Sequence, residues 1–227
     1  MRDMFSTIAP KYDLITRVFS YGMDQRWKRL AVRRAMLPAR AKVLDLACGT
    51  GDFAKLVLQQ SPEAHVIGAD LTERMLRLSK LRHTVCADAA SLPFATDCFD
   101  AVFVGYGLRN FPRLEATIEE VRRVLRPGGV LVSLDFFLPS RRWLRRFYLA
   151  YLYTQGAFWG LILHRRARVY TYIPDSLRSF LSAKEFSMLL EKMQFTGVAA
   201  LPFILGGIAV HWARKRAAPA HRDRDIK

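Results

Sequence analysis

The chain has 227 residues and is both strongly basic and largely apolar. Hydrophobic residues make up 51% of it, which excludes disorder along most of its length and suits one domain with a sizeable core. The formal net charge of +16 indicates an anionic partner: nucleic acid, a membrane surface or an acidic protein. Cys48, Cys86 and Cys98 have no zinc-binding spacing, so we predict no metal site, and free thiols favour a cytosolic compartment.

The predicted elements divide the chain into a domain and a tail. Residues 1–213 are predicted to form one domain, and residues 214–227 a basic, disordered tail. Residues 1–40 are predicted to form a helical cover rich in aromatic and basic side chains. Strand and helix signals alternate over residues 42–136, as is typical of a doubly wound sheet. We therefore predict an α/β, Rossmann-like fold, mostly parallel, with helices on both faces and an antiparallel C-terminal edge.

The first predicted strand ends in an acid and a glycine-rich turn. Asp45 is followed by Gly49, Thr50 and Gly51, and the two glycines permit a sharp turn and the close approach of a ligand. Open α/β folds bind nucleotide-like ligands at such turns, although a purely structural turn is the alternative. The pattern lacks the marks of a pyrophosphate site. An acid before the glycines suits a cation such as S-adenosylmethionine (SAM), which carries a sulfonium, an ammonium and an adenosine.

The next predicted strands also end in acids. Asp70 lies 25 residues after Asp45, a spacing that fits one βαβ unit and an acid that binds both ribose hydroxyls. The alternative is that Asp70 only caps the helix near Thr72. Asp88 follows the third strand, where a carboxylate can reach the adenine amino group, and residues 99–104 form the fourth strand. Together these strand ends favour SAM as the ligand.

The sequence predicts two later helices from the residues at which they stop or start. Residues 114–125 have helical spacing of apolar positions, which a Pro-Gly-Gly turn stops. Ser182 and Glu185 have the spacing of a capping box at the start of another helix. The remaining predicted strands are residues 130–136, 197–203 and 206–212.

Residues 141–180 differ from the rest in composition. Aromatic and apolar segments lie between two groups of arginines, and polar residues at 154–156 interrupt them. The apolar run is shorter than the roughly 20 residues that span a bilayer. Arginines beside a Trp-containing helix are typical of an interfacial location. We predict a helical insertion that covers the sheet and contacts an anionic membrane surface; a pair of ordinary core helices is the alternative.

Taken together, these features resemble the ubiquinone/menaquinone biosynthesis C-methyltransferases, a family of class I SAM-dependent enzymes. The resemblance covers nearly the whole chain, and its N-terminal and G-L-R-N motifs are the most specific. The matching segments are residues 8–14, 20–28, 107–110, 123–129 and 170–180. The chain departs from the family at Thr16, where Asn is usual, and at residues 134–137, which read L-D-F-F in place of L-E-F-S.

The resemblance implies a set of cofactor-binding residues. Those at the methionine end of SAM would be Asp45, Gly49, Thr50 and Gly51. Asp70 would hold the ribose, Asp88 and Ala89 the adenine, and Gly105 would lie beside the cofactor.

It also implies an acceptor and catalytic candidates. The acceptor would be a demethylated prenyl quinol, with demethylmenaquinol favoured over a benzoquinol. Arg109 would stabilise the phenolate and Asn110 would orient the hydroxyl, while Tyr12 and Asp13 are candidates for proton handling. A salt bridge that pins the loop is the alternative for Arg109, and packing is the preferred interpretation for His211.

The predicted location is the cytoplasm, with peripheral attachment to the inner face of the cell membrane. No nucleic-acid partner is expected, and the sequence leaves open whether the protein forms a homodimer. Three other functions compete: methylation of another apolar small molecule such as a sterol or polyketide, methylation of RNA, and SAM binding without turnover.

Overall fold

A computed structural model describes residues 17–165 and 170–217, the side chains of Leu163 and His164 excepted. Strands and helices alternate through the first half, as the sequence predicts. The elements are α1 (Asp24–Ala35), β1 (Lys42–Leu46), α2 (Asp52–Gln60), β2 (His65–Asp70), α3 (Glu73–Ser79), β3 (Thr84–Cys86), β4 (Phe99–Gly105), α4 (Leu114–Val124), β5 (Leu125–Phe136), α5 (Arg142–His164), α6 (Tyr172–Leu177), α7 (Ala183–Lys192), β6 (Phe195–Phe203) and β7 (Ile208–Lys215). Short 3-10 turns occupy Leu108–Asn110 and Ile204–Gly206.

The strands form one seven-stranded sheet in the order β3-β2-β1-β4-β5-β7-β6. The first five of these run parallel, and β7 runs antiparallel to both of its neighbours, β5 and β6. The predicted fold class is thus confirmed, including the antiparallel C-terminal edge. The strand order reverses direction between β1 and β4, which is where open α/β sheets bind ligands.

Helices bury apolar side chains against both faces of the sheet. On β4, Ala101 and Phe103 point to the face covered by α1, α2 and α5, while Val102 and Val104 point to the face covered by α4 and α7. Successive strand residues alternate between faces, so a central strand covered on both sides must be apolar throughout. This requirement explains the uninterrupted apolar run that marked β4 in the sequence.

Several predicted boundaries differ from the structure, and the largest differences are at the start of β5 and the end of β7. Strand β5 begins at Leu125, directly after α4, because Leu125 already pairs with Phe99 of β4. A bulge follows this pair, and Gly128, whose φ is +79°, lies within it. At the other end, β7 continues to Lys215, two residues into the predicted tail. The Lys215 ammonium donates to the Leu125 carbonyl at 2.8 Å, which ties the end of the strand to the sheet. Residues 218–227 lie outside the described residues.

The insertion after β5 consists of one long helix and one short one. Helix α5 runs unbroken through residues 154–156, where the sequence had indicated an interruption. A Cβ on Gly156 would lie 2.9 Å from the Tyr170 carbonyl oxygen, so this glycine permits the chain after α5 to cross closely over it. Leu152 anchors the helix in the core. Within the described ranges, no helix has the length and apolar character needed to cross a bilayer.

Candidate active site

A cleft opens at the carboxyl ends of β1, β2, β3 and β4. It encloses about 990 Å³ including its open mouth. Four segments build most of its wall, and each follows a parallel strand. Its lining residues include Ala47, Gly49, Asp70, Leu71, Asp88, Ala89, Gly105, Tyr106, Asn110 and Phe111. The structure therefore brings six of the predicted site residues to one cleft.

Several residues around the cleft have left-handed backbone conformations. Gly49 has a φ of +52°, and a Cβ there would meet open space, so its backbone is accessible from the cleft. Ala47 and Tyr106 also have positive φ, at +53° and +56°, although neither is a glycine. Such strained positions in non-glycine residues cluster at functional sites. Neither Ala47 nor Tyr106 could be recognised from the sequence, because side-chain identity does not reveal backbone strain.

Asp70 joins the glycine turn to the end of β2. One carboxylate oxygen accepts from the Gly49 amide at 2.9 Å, and the other accepts from the Thr72 amide at 2.8 Å. Burial raises the pKa of Asp70, and these two amide donors oppose the shift. Thr72 is itself the N-cap residue of α3, so Asp70 holds the amide that precedes the helix, and the same carboxylate also lines the cleft. Each oxygen can accept a second hydrogen bond, so the two roles are compatible.

Asp88 and Ala89 follow β3 at the mouth of the cleft. One oxygen of Asp88 accepts from the Ala90 amide at 2.9 Å, and the other accepts from the Arg113 guanidinium at 3.0 Å. Both partners of this ion pair are more than half exposed, so solvent screens it. Arg113, which sequence reasoning missed, therefore closes the outer edge of the cleft opposite Asp88.

Three predicted cofactor residues do not line the cleft. Asp45 is 2% exposed and lies behind the glycine turn, where it accepts from the Ala54 amide at 2.9 Å. Burial raises the pKa of Asp45 to about 8. Thr50 and Gly51 lie on the same turn outside the lining residues. The Thr50 carbonyl accepts from Lys55 at 2.7 Å, and Gly51 adopts a φ of +81° directly before α2. The structure therefore supports these residues as the frame of the turn.

Gly105 lies at the end of β4, on the floor of the cleft. A Cβ at this position would meet the Phe53 ring at 2.9 Å, so only glycine fits without a shift of α2. The neighbouring Tyr106 ring lies 5.5 Å from the Lys28 ammonium. Lys28 also pairs with Asp52 at 2.6 Å and thereby ties α1 to the start of α2, directly after the glycine turn. The N-terminal helix is thus coupled to the frame of the cleft.

Arg109 points away from the cleft into a buried ion pair. Its guanidinium pairs with Asp135 on β5 at 2.5 Å, and the side chains of the two are 2% and 0% exposed. It also donates to the Tyr106 carbonyl at 3.1 Å and lies 5.1 Å from the Phe136 ring centroid. Arg109 does not line the cofactor cleft in this arrangement, and its predicted contact with an acceptor phenolate stays a prediction. The alternative, a salt bridge that pins the loop, is the arrangement observed.

Asp135 accepts from three donors at this buried position. Besides Arg109, it accepts from the Leu108 amide at 2.7 Å and from the Phe136 amide at 2.8 Å. Burial raises the pKa of Asp135, while the guanidinium of Arg109 opposes that shift. Asp135 is the residue at which the sequence departed from the family's usual Glu. Here the acid holds the 3-10 turn that follows β4.

The remaining residues considered for catalysis differ in where they lie in the structure. Asn110 lines the cleft, and its side-chain amide donates to the Tyr106 carbonyl at 3.3 Å. Tyr12 and Asp13 lie outside the described residues. His211 is 1% exposed, contacts the Ala183 carbonyl at 3.0 Å through Nε2, and packs between aromatic rings, so it is a core residue as expected. Burial lowers the pKa of His211 to about 4.

Apolar side chains form much of the remaining wall, and sequence reasoning missed them. They are Leu71, Met75, Phe111 and Pro112. Leu71 directly follows Asp70, and Phe111 directly follows Asn110. Their positions next to a predicted acid and to the G-L-R-N motif could have identified them as residues of the cleft wall. Among the described residues, no cluster of His, Cys, Asp and Glu is arranged to hold a metal ion.

The sequence that builds this cleft matches a known family. The sequence model of the ubiE/COQ5 methyltransferase family matches residues 1–215. The chain belongs to this family. Its relatives include a demethylmenaquinone methyltransferase from Thermus thermophilus, 38% identical over 87% of this chain and 97% of the relative. A ubiquinone/menaquinone biosynthesis C-methyltransferase UbiE from Desulfotalea psychrophila is also 38% identical, over 93% and 89% of the two chains.

Solved structures agree on the fold of this family member. A SAM-dependent methyltransferase from Thermotoga maritima superposes with a TM-score of 0.68 over 95% of this chain and 100% of that one. The two chains are 19% identical, so the likeness concerns the fold alone. The resemblance inferred from the motifs is thereby confirmed by the family match, and the predicted architecture by the superposition.

Proposed function

We propose that the protein transfers a methyl group from SAM to a ring carbon of a demethylated prenyl quinol, with demethylmenaquinol as the preferred acceptor. The observation that carries this proposal is one cleft that holds both Asp70, after β2, and Asn110, after β4, in a chain of the ubiE/COQ5 family. The names of the relatives favour a demethylated quinone precursor as the acceptor. A benzoquinol is the nearest alternative acceptor.

The cleft fits SAM by the chemistry of its wall. Asp70 offers the second lone pairs of its two oxygens to the ribose hydroxyls. Asp88 and the backbone of Ala89 hold the adenine edge, and the apolar side chains of Leu71 and Phe111 contact its faces. The accessible backbone at Gly49 receives the methionine end. The buried carboxyl of Asp45, behind the turn, is protonated at neutral pH because burial raises its pKa to about 8, and a cationic ligand above it would favour its ionised form.

The protein's contribution to the reaction is alignment and proton handling. When bound, SAM supplies an electrophilic methyl group on its sulfonium. Asn110 orients the acceptor hydroxyl at the end of β4, and Tyr12 and Asp13 remain our candidates for accepting its proton. Loss of that proton makes the ortho ring carbon nucleophilic. This carbon forms the new bond to the methyl group as the methyl–sulfur bond breaks, and it then loses its own proton to restore the aromatic ring.

Transfer of label from methyl-labelled SAM tests this function. We expect label in demethylmenaquinol, less in a demethylated benzoquinol, and none in bulk RNA, with Asp70→Ala as the binding-deficient control. Mass spectrometry of the product places the methyl group on carbon or oxygen. Label in RNA alone, on oxygen alone, or in no acceptor despite SAM binding would refute the proposal.

We also propose that helix α5 attaches the protein to the cytoplasmic face of an anionic membrane. Trp143, Phe147, Phe158 and Leu161 are each more than half exposed, and their spacing places them on one face of the helix. The arginines at positions 142 and 146 are exposed beside them. Leu205, at the tip of the β6–β7 hairpin, is 79% exposed. Apolar side chains flanked by arginines suit the boundary between head groups and acyl chains.

Co-sedimentation with phospholipid vesicles tests the attachment. The wild type should bind anionic vesicles, more weakly at high salt, and Trp143→Ser/Phe147→Ser should lower binding by about tenfold or more, since two exposed aromatic anchors are lost. Leu58→Ser/Leu78→Ser is the matched control, because those exposed leucines lie on α2 and α3. Absence of binding at both low and high salt, or an equal loss in the control, would exclude this face as the anchor.

A further inference from the structure

A second cavity lies beside the cofactor cleft and takes no part in the function described so far. It is a groove between the 3-10 turn with the start of α4 on one side and α6 with α7 on the other, and it encloses about 1,220 Å³ including its open mouth. We call it the side groove. Its apolar wall consists of Phe111, Pro112, Leu114, Phe180, Leu181, Met188 and Leu189.

The side groove shares a wall with the cofactor cleft. Phe111 and Pro112 line both cavities, and Asn110 and Arg109, next to each other in the chain, line one cavity each. Only the short turn after β4 therefore separates the two spaces. A molecule whose ring lies against Asn110 can extend past Phe111 into the side groove.

The charged residues of the side groove all have ionic partners. Arg109 pairs with Asp135 at 2.5 Å, and Glu115 pairs with Lys192 at 3.6 Å. Glu185 accepts from the Ser182 amide at 2.7 Å within the capping box of α7. Its carboxylate also lies 4.0 Å from a guanidinium nitrogen of Arg145. An occupant consequently meets apolar side chains, the uncharged Ser176 and Ser179, and charged groups that already have ionic partners. Such a wall fits a neutral hydrocarbon better than a charged ligand.

The side groove also adjoins the helix that carries the exposed aromatic side chains. The contact between Glu185 and Arg145 joins its rim to the first turns of α5. On the α6 side, the Tyr153 hydroxyl of α5 donates to the Asp175 carboxylate. Met188, on α7, is 57% exposed although it is apolar, so the groove has an uncovered hydrophobic wall.

We propose that the side groove binds the isoprenoid tail of the acceptor, leading it from the ring at Asn110 towards α5. This inference rests on the proposed function, because it requires a prenylated acceptor. The occupant is a neutral, flexible hydrocarbon chain. The cofactor lies on the opposite side of the Phe111–Pro112 wall, so the tail and SAM do not compete for space.

The test compares two acceptors in each of three variants. Steady-state methylation is measured with a long-tailed demethylmenaquinol in detergent micelles and with the tail-less naphthohydroquinone. Met188→Glu places a charge in the groove, Met188→Leu keeps it apolar, and Lys184→Gln makes the same one-unit change of charge at an exposed position of α7 outside the groove. SAM affinity and melting temperature, measured on each variant, show whether the cleft and the fold are intact.

We expect Met188→Glu to raise KM for the long-tailed acceptor by about tenfold, because the tail loses apolar contact with this wall. Its kcat and its KM for the tail-less acceptor should change less than about twofold, and the two control variants should resemble the wild type. Equal changes with both acceptors, or no change with either, would overturn the tail assignment while the methyltransferase function stands. A wild type that methylates neither acceptor would refute the proposed function, and the tail assignment with it.

Discussion

Replacing Arg109 with alanine is expected to lower the free energy of unfolding by about 3–5 kcal/mol. The Asp135 carboxylate is fully buried, and the Arg109 guanidinium is the cation that pairs with it. Removing one member of such a pair leaves an uncompensated buried charge. Urea unfolding followed by circular dichroism measures the loss. A change below about 1 kcal/mol would show that the pair does not stabilise the fold.

A second variant separates a structural role from a catalytic one. Arg109→Met/Asp135→Asn removes both charges, so it should recover much of the stability lost in Arg109→Ala. If Arg109 only positions the 3-10 turn, the double variant also recovers activity, and the pH profile of kcat keeps its shape. If Arg109 stabilises a phenolate, activity stays low in the double variant and the profile shifts to higher pH. The observed geometry predicts the first result.

Replacing Asp45 with asparagine is expected to stabilise the protein at alkaline pH. Burial raises the pKa of Asp45 from 3.8 to about 8, so the folded state keeps a proton that the unfolded state has already lost. The contribution of the Asp45 carboxyl to the free energy of unfolding is complete below pH 3.8 and is lost as the pH rises towards 8. Between pH 5 and 7 the wild type should lose about 1.4 kcal/mol per pH unit relative to Asp45→Asn.

Asp52 provides a control, because its contribution to stability should depend on pH in the opposite direction. Burial raises its pKa, but the ammonium of Lys28, 2.6 Å away, outweighs burial and holds the pKa below its usual value. Stability from Asp52 is therefore present at neutral pH and lost as pH falls. Asp52→Asn should be less stable than the wild type at neutral pH, and the difference should disappear in acid. Parallel pH-stability curves for the wild type and Asp45→Asn would contradict the buried, protonated carboxyl.

The strand ends could be predicted from the sequence because a local rule governs them. A central parallel strand must be apolar on both faces. Asp45, one residue before the end of β1, and Asp70, at the end of β2, interrupt that pattern close to where the chain leaves the sheet. Asp70 was found in this way, and the structure places it on the cleft. Asp45 obeys the same rule but lies behind the turn, and the sequence alone does not distinguish these two positions.

Contacts between distant residues could not be predicted. The pair of Arg109 with Asp135 joins residues on separate elements, and so does the contact of Lys28 with Asp52 that ties α1 to the glycine turn. The side groove likewise depends on how α7 packs beside α4. A motif such as G-L-R-N marks the position of a turn, but the direction in which each of its side chains points depends on the neighbouring elements.

Periodicity and short motifs were sufficient to predict the fold class, the family resemblance and the strand ends at which a cofactor would bind. The tertiary structure was needed to show that Arg109 is buried against Asp135 while Asn110 lines the cleft. It also showed that a second, apolar groove shares the Phe111–Pro112 wall. The reason is physical: burial and charge pairing depend on which elements meet in space, and those contacts join residues far apart in the chain.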